Sequence, residues 1–161
     1  MTTTTPTAPT ADVPPADARV LGLAHYAARG VLEQILTRHG VTFQQQVVLR
    51  AAATAPTPPT RDGLVADVRG TLKADPADIR TVVDGLLDKG LLVEDGAHLP
   101  ATDAGRELLA AVGAEVAPVS ARIWGGIPAE DLAAAGRVLA LVTERADAEL
   151  ADAELAAPTD G

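Results

Sequence analysis

The chain has 161 residues and a formal net charge of −9, with a sequence pI near 4.6. Such acidity argues against a protein whose whole surface binds phosphate backbones. Because the chain has no cysteine, disulfides and thiolate zinc sites are excluded, and its three histidines lack metal-ligand spacing. No apolar run approaches the roughly 20 residues of a membrane span, and the N-terminus lacks the basic and apolar parts of a signal peptide. The sequence therefore predicts a cytoplasmic protein without a metal, a cofactor or a membrane partner.

The composition predicts a mainly α chain with one domain. Hydrophobic residues make up 47% of the sequence, yet only three residues are aromatic, so the apolar content is mostly Ala, Leu and Val. Ala and Leu favour helix, and this length suits one domain with a modest core. The first fifteen residues hold six Thr and four Pro, which cannot bury enough surface to fold. We expect a disordered tail at 1–15, a single domain at 16–156 and a frayed end at 157–161.

Apolar spacing and capping residues predict two helices before a proline-rich break. Apolar residues between 17 and 39 recur at steps of three and four, and Gly40 ends that helix. A second helix fits 42–53, with Thr42 as its N-cap. The segment TAPTPPT at 54–60 ends it, because prolines cannot donate backbone hydrogen bonds and force extended backbone.

Two short helices, 61–70 and 76–89, follow in tandem, and this arrangement is typical of a helix-turn-helix. The second helix has a clear start signal. Asp75 is predicted as its N-cap, and Pro76 takes the first helical position, where a missing N–H costs nothing.

The stretch after Gly90 predicts a small hairpin. Residues 91–93 and 98–100 are short enough to pair as strands, and the turn between them contains Asp95-Gly96, a pair that favours tight hairpin turns. We therefore expect a short two-stranded wing after the helix-turn-helix.

Two long helices complete the predicted elements. One runs over 102–124, with Thr102 as N-cap and a bend at Pro118, and the other over 128–155. Their alanine-rich apolar stripes are too wide for so small a core, so packing against a second copy of the chain is the economical interpretation. The residues of the first of these helices that we expect to face inward are Leu108, Leu109, Val112, Val116 and Val119.

Four short motifs occur in order along the chain, at 41–49, 83–92, 102–106 and 127–132. They read VTFQQQVVL, VDGLLDKGLL, TDAGR and IPAEDL. Together they resemble the MarR (multiple antibiotic resistance regulator) family of bacterial transcription regulators, which has Thr-Pro-Ala-Gly-Arg in place of the third motif. The resemblance covers about residues 17–155.

The resemblance implies a winged helix-turn-helix lobe at about 42–101, flanked by long dimerisation helices at about 17–39 and 102–155. Members of this family are dimers that bind pseudo-palindromic operators, and they release the operators when small anionic or aromatic ligands bind. For this chain, the resemblance implies a homodimeric transcriptional regulator whose partners are double-stranded DNA, a small ligand and a second copy of the chain.

A recognition helix places its N-terminal half in the major groove, and the bases and phosphates are contacted mainly by basic and hydroxyl side chains. Over residues 60–95, five basic residues stand against eight acidic ones, and no basic residue lies between Lys89 and Arg106. The family commonly has Arg where this chain has Thr81 and Gly85, and its wing carries a basic tip. The residues that we expect at DNA are Arg61, Arg69, Lys73, Arg80 and Thr81.

A second candidate site lies on the first and fifth helices. The resemblance implies a ligand pocket between the dimer helices and the winged lobe, and an arginine beside aromatic rings suits an anionic aromatic molecule. The alternative is a solvated helix face with ion pairs, in which the tryptophan fills a dimer interface. The residues that we expect at a ligand are His25, Tyr26, Arg29 and Trp124.

Three interpretations remain open from the sequence. The first is the ligand-responsive MarR-like regulator. The second is a dimer of the same fold that has lost operator binding, through its acidic recognition helix and truncated wing, and acts as a small-molecule-binding protein or an enzyme of secondary metabolism. The third is a helical module whose acidic face binds a basic protein. No nucleophile motif, phosphate loop or metal cluster supports an enzyme, and no catalytic residue is predicted.

Overall fold

A computed structural model of the chain describes residues 15–156. The predicted disordered tail, apart from its last residue, and the predicted frayed end at 157–161 lie outside the described residues. Within 15–156 the chain forms six helices, so the prediction of a mainly α protein is confirmed. They are α1 Ala18–Arg38, α2 Phe43–Thr54, α3 Arg61–Leu72, α4 Pro76–Asp88, α5 Asp103–Trp124 and α6 Ala129–Ala156.

The helices begin and end where local capping chemistry directs them. Asp17 caps α1 by accepting a hydrogen bond from the backbone N–H of Val20 at 2.8 Å. At α2, Thr42 and Gln45 form a capping box, in which each side chain bonds the other residue's backbone N–H. α3 extends beyond its predicted end at 70 and stops only after Leu72, because Lys73 adopts the left-handed conformation (φ 53°).

Helices α2, α3 and α4 enclose the main core. Their inner faces are rich in Leu, Val and Ile, and each large side chain removed from water there stabilises the fold by about 1.5–3 kcal/mol. The hairpin region adds Leu91, Leu92 and Leu99 to the same core. The fully buried large side chains of the three helices are Val48, Leu49, Leu64, Val68, Ile79, Val83 and Leu86.

The predicted wing occurs as isolated antiparallel bridges, which join Leu92 to Ala101 and His98 to both Asp95 and Thr60. No regular β-strand forms in this part of the described chain. The physical reason lies at Pro100, which accepts a hydrogen bond from Val93 at 3.2 Å but has no N–H to return one. The two-stranded wing therefore stays a prediction.

The chain divides into two compact units, the first ending at Ala117 and the second beginning at Pro118. The predicted bend in the fifth helix falls at this boundary. The single domain at 16–156 stays a prediction. Of the residues expected to face inward on α5, Val112 is buried and the other four are half-buried.

The long helices leave much of their apolar surface open. In α1 only Ile35 and Leu36 are buried, whereas Val20 and the alanines of the N-terminal half are exposed, and α6 buries no residue. No single helix among residues 15–156 is both long and apolar enough to cross a bilayer, and only α5 and α6 taken together, as a bent pair, pass that test. The large exposed apolar residues of α6 are Val138, Leu139, Leu141, Val142, Leu150 and Leu155.

Within the first unit, a charged cluster ties the end of α1 to α5. Glu115 accepts hydrogen bonds from Arg38 at 2.5 Å and from the His39 ring at 2.7 Å. The bond from Arg38, followed by that from His39, holds the pKa of Glu115 below its ordinary value of 4.5.

This cluster predicts a pH-dependent contribution to stability. Because the folded state lowers the pKa of Glu115, the contribution is fully present above the unfolded value of 4.5 and is lost as the pH falls through the folded value. Glu115→Gln is therefore expected to lower the free energy of unfolding more at neutral pH than at a pH well below 4.5, where the carboxyl group is protonated in both states. Denaturant unfolding at both pH values measures the difference. Glu107→Gln, on the same helix and exposed, is the control, and an equal loss at both pH values for Glu115→Gln would contradict the prediction.

A second prediction concerns a close approach at the start of α5. Gly105 is buried, and a Cβ there would collide with the Leu91 carbonyl oxygen while lying 3.1 Å from a Leu49 methyl. Because one obstacle is backbone, Gly105→Ala is expected to destabilise by about 1–3 kcal/mol. Gly113→Ala, on the same helix with open space around it, is expected to stabilise by about 0.5–1 kcal/mol. Thermal unfolding by circular dichroism distinguishes them, and equal effects would refute the argument.

Candidate functional site

The tandem α3 and α4 present one exposed helix face. Asp75 caps α4 by accepting a hydrogen bond from the backbone N–H of Ala77 at 2.7 Å, and Pro76 begins the helix. Ile79 and Val83 anchor the inner side of α4 in the core. The outer side is therefore held rigidly and faces solvent, with Asp78, Arg80, Thr81 and Asp84 exposed along it.

Arg61 stands at the centre of the charged groups on this face. In the first turn of α3, it donates through Nη1 to Asp84 of α4 at 2.6 Å and through Nη2 to Glu94 of the hairpin turn at 3.2 Å. The hydrogen bond to Asp84, with a further one to Glu94, raises the pKa of Arg61 above its ordinary value. A permanently charged guanidinium thus links three elements through two carboxylates.

The other residues predicted at DNA are also on α3 and α4. Arg80 lies with Nη2 3.7 Å from the Asp62 carboxylate, and the Thr81 hydroxyl donates to the Ala77 carbonyl at 3.1 Å. Arg69 is in the last turn of α3, and Lys73 is its left-handed C-cap, both exposed. The structure thus places the five predicted residues on α3, at its C-cap and on α4, where Arg61 bonds two carboxylates and Arg80 faces one.

Sequence reasoning counted Asp84 and Glu94 as part of an acidic excess and missed their role as partners of Arg61. They lie 23 and 33 residues from Arg61 along the chain, so no spacing rule for a helix or strand connects them. Only the hydrogen-bonded turn between Val93 and Pro100, which projects Glu94 beside α3, brings the third group into place.

The residues predicted at a ligand are only partly brought together. The rings of His25 and Tyr26 meet edge to face with centroids 5.4 Å apart, and Tyr26 is 71% exposed. Arg29 instead donates to Glu33 at 2.8 Å, and its guanidinium carbon lies 4.7 Å from the centroid of the Phe43 ring. Trp124 belongs to the second unit, at the end of α5, and is 55% exposed.

Phe43 begins α2, a different helix from that of Arg29, so no spacing within a helix indicated its contact with this site. Its stacking under the Arg29 guanidinium is a cation–π contact between α1 and α2. The helical ion pair of Arg29 with Glu33, which the sequence offered as the alternative use of this face, is present.

A cavity of about 500 Å³ lies elsewhere in the first unit. It is bounded by the end of α2, the proline-rich segment and the first turns of α3, and it contains none of the residues predicted at a ligand. Its lining includes Thr54, Pro56, Pro59, Leu64 and Asp67.

Comparison with known proteins gives similarity in fold. No protein-family model matches the chain, and no curated protein is similar to it in sequence. Among solved structures, a MarR-family transcriptional regulator from Rhodococcus sp. RHA1 is similar with a TM-score of 0.64 and 25% identity, over 77% of this chain and 89% of that one. CouR from Rhodococcus jostii RHA1, bound to p-coumaroyl-CoA, gives the same TM-score and identity over 77% and 88%.

MarR from Staphylococcus aureus, in complex with salicylate and kanamycin, is similar with a TM-score of 0.69 over 81% of this chain and 90% of that one. Its identity is 18%, so it bears on the fold alone. The order of the helices, the tandem α3 and α4 and these similarities agree with one another. The chain therefore has the winged helix fold of the MarR family of transcriptional regulators.

Proposed function

We propose that the protein is a MarR-like homodimeric transcriptional regulator that binds double-stranded DNA through α3 and α4 and responds to a small ligand. The observation that carries the proposal is the helix-turn-helix on its own closed core, with one face of α4 buried and the opposite face open. The likeness in fold to MarR-family transcriptional regulators supports it. Fold alone does not assign function, so the residues have to be argued individually.

At DNA, α4 would enter the major groove with its N-terminal half, and α3 would cross the backbone. Arg80 and Thr81 then lie where base edges are read, and Arg61, Arg69 and Lys73 lie at the ends of α3, where phosphates are contacted. A cytoplasmic location accompanies this role.

A titration of labelled DNA with the protein tests this proposal directly. A labelled duplex from beside the protein's own gene is expected to bind saturably at low salt, as measured by fluorescence anisotropy. Arg80→Ala should weaken binding by about 1–3 kcal/mol, because a side chain on the exposed face of α4 is removed. Arg106→Ala, which makes the same charge change on α5, is the control and should leave affinity nearly unchanged. Absence of saturable binding by the unmodified protein would reject the proposal.

The small ligand is proposed to be an anionic or aromatic molecule, and the residues proposed to contact it are His25, Tyr26 and Arg29 on α1 and, separately, Trp124 on α5. Exposed aromatic surface at Tyr26 and Trp124 and the cation of Arg29 are the groups that recognise such molecules. CouR, which is 25% identical to this chain, was solved with p-coumaroyl-CoA, a molecule that is both anionic and aromatic, and this supports the proposed class. Salicylate added to the DNA complex is the probe, and release of the duplex is the supporting result.

A second candidate function has one observation in its favour. Arg61 is occupied by Asp84 and Glu94, which fits a protein of this fold that has lost operator binding and works through a small molecule. The DNA titration separates the two candidate functions, since the second one requires that the protein bind a ligand but form no complex with DNA.

The homodimer is proposed from the apolar surface that the single chain leaves uncovered. Val138 and Val142 lie one helical turn apart on α6 and are each about half-exposed, and Leu139 beside them is similar. A soluble monomer rarely exposes so long an apolar stripe, and a second copy of the same helix is its most direct cover.

Val142→Glu is expected to dissociate the dimer, because burying an unpaired carboxylate in an apolar interface is costly. Light scattering coupled to size-exclusion chromatography measures the mass. Ala140→Glu, which introduces the same charge away from the stripe on the same helix, is the control and should remain dimeric. Dimers of equal stability for both variants would show that this stripe is not the interface.

A further inference from the structure

We infer that Asp84 and Glu94 occupy Arg61 in place of DNA phosphate, so that DNA must displace them, and that this exchange sets the affinity for DNA. The inference rests on the proposed function, because it names the residues that regulate its DNA contact. It assigns an inhibitory role to Asp84 and Glu94, which a count of net charge does not distinguish from the other acidic residues.

The geometry of the three side chains supports an exchange. A guanidinium presents its N–H groups as a planar fork that carboxylate and phosphate oxygens bind in the same way. In Arg61, one arm of the fork is taken by Asp84 at 2.6 Å and the other by Glu94 at 3.2 Å. A phosphate would therefore need the same N–H groups that the two carboxylates already use.

The cluster is accessible to a competing anion. The side chain of Arg61 is 34% exposed, and those of Asp84 and Glu94 are 61% and 66% exposed. Ion pairs with this much solvent contact are weak and screened by salt, so they can exchange rather than lock. The competitor has to bring concentrated negative charge, which a DNA backbone does.

The position of the acids gives a second, independent effect. Asp84 is on the exposed face of α4, and Glu94 is on the hairpin turn, while Arg61 begins the helix that crosses the backbone in a helix-turn-helix. Once displaced, both carboxylates remain beside the phosphates and repel them. Arg80 shows a related arrangement across the same two helices, 3.7 Å from Asp62. The acids thus oppose binding both by occupying the arginine and by repulsion.

The experiment compares Asp84→Asn/Glu94→Gln with the control Asp88→Asn/Asp95→Asn in the full-length protein. Both variants remove one carboxylate from α4 and one from the hairpin turn, so their net charges are equal. DNA affinity is measured by anisotropy at about 50 and about 200 mM salt. The probes are the duplex from beside the gene and an unrelated duplex, and circular dichroism establishes that each variant is folded.

Release of Arg61 is expected to raise affinity for both duplexes by about tenfold at the lower salt. The slope of log affinity against log salt should steepen by about 0.9 for each additional phosphate that the protein neutralises, hence by about 2 in a dimer. The control should show a much smaller rise and an unchanged slope. Adding Arg61→Ala to the released variant should return the slope to the unmodified value.

Three outcomes would overturn the inference. An unchanged slope in Asp84→Asn/Glu94→Gln would show that the released Arg61 binds no phosphate, and an equal rise in the control would show a general charge effect. Either result leaves the proposed function standing if the unmodified protein binds DNA. Absence of binding by the unmodified protein would reject the proposed function, and absence of binding by the released protein as well would overturn the inference.

Discussion

The packing of α4 against α2 and α3 is the constraint on which the rest of the structure depends. Val83 and Leu86 are fully enclosed, and Ile79 lies one turn before them on the same side, so α4 can present only one other face to solvent. The hairpin closes the same core through Leu92. A helix as short as α4 can keep a defined orientation because its inner face is buried in a core that the lobe completes by itself.

Charge on the exposed side of this lobe is organised by the same packing. Arg61 would be a plain basic residue at a helix start if α4 and the hairpin did not bring Asp84 and Glu94 to it. An overall charge of −9 therefore does not describe which charged groups on this face are already paired. What matters is whether each cation there is available, and the structure shows Arg61 engaged on both arms of its guanidinium.

Helices α1 and α6 differ from the helix-turn-helix lobe in how little of their apolar surface is buried. α6 buries no residue and exposes valines and leucines along its length, and the N-terminal half of α1 exposes Val20 and Leu21. These helices have strong local signals and good helix formers, yet the single chain offers them little apolar cover. The apolar surface that these helices leave open is the observation from which the homodimer is proposed.

The sequence by itself determined the helices, because caps, stops and periodicity act over a few residues. Thr42, Asp75 and Gly40 mark boundaries that the structure confirms, and the motifs after α1 indicated the MarR fold. Local signals misplaced the end of α3 at Gly70, because the helix continues to Leu72 before the left-handed Lys73 ends it. Contacts between distant segments were beyond them.

Only the tertiary structure decided which charges meet. It brought Arg61 to Asp84 and Glu94, across 23 and 33 residues, and Arg29 to Phe43 of the next helix. Such pairs depend on how separate helices dock, and docking is set by the shape of the buried core rather than by any spacing along the chain. The candidate residues could be named from the sequence, whereas their partners, and hence their availability to DNA, could not.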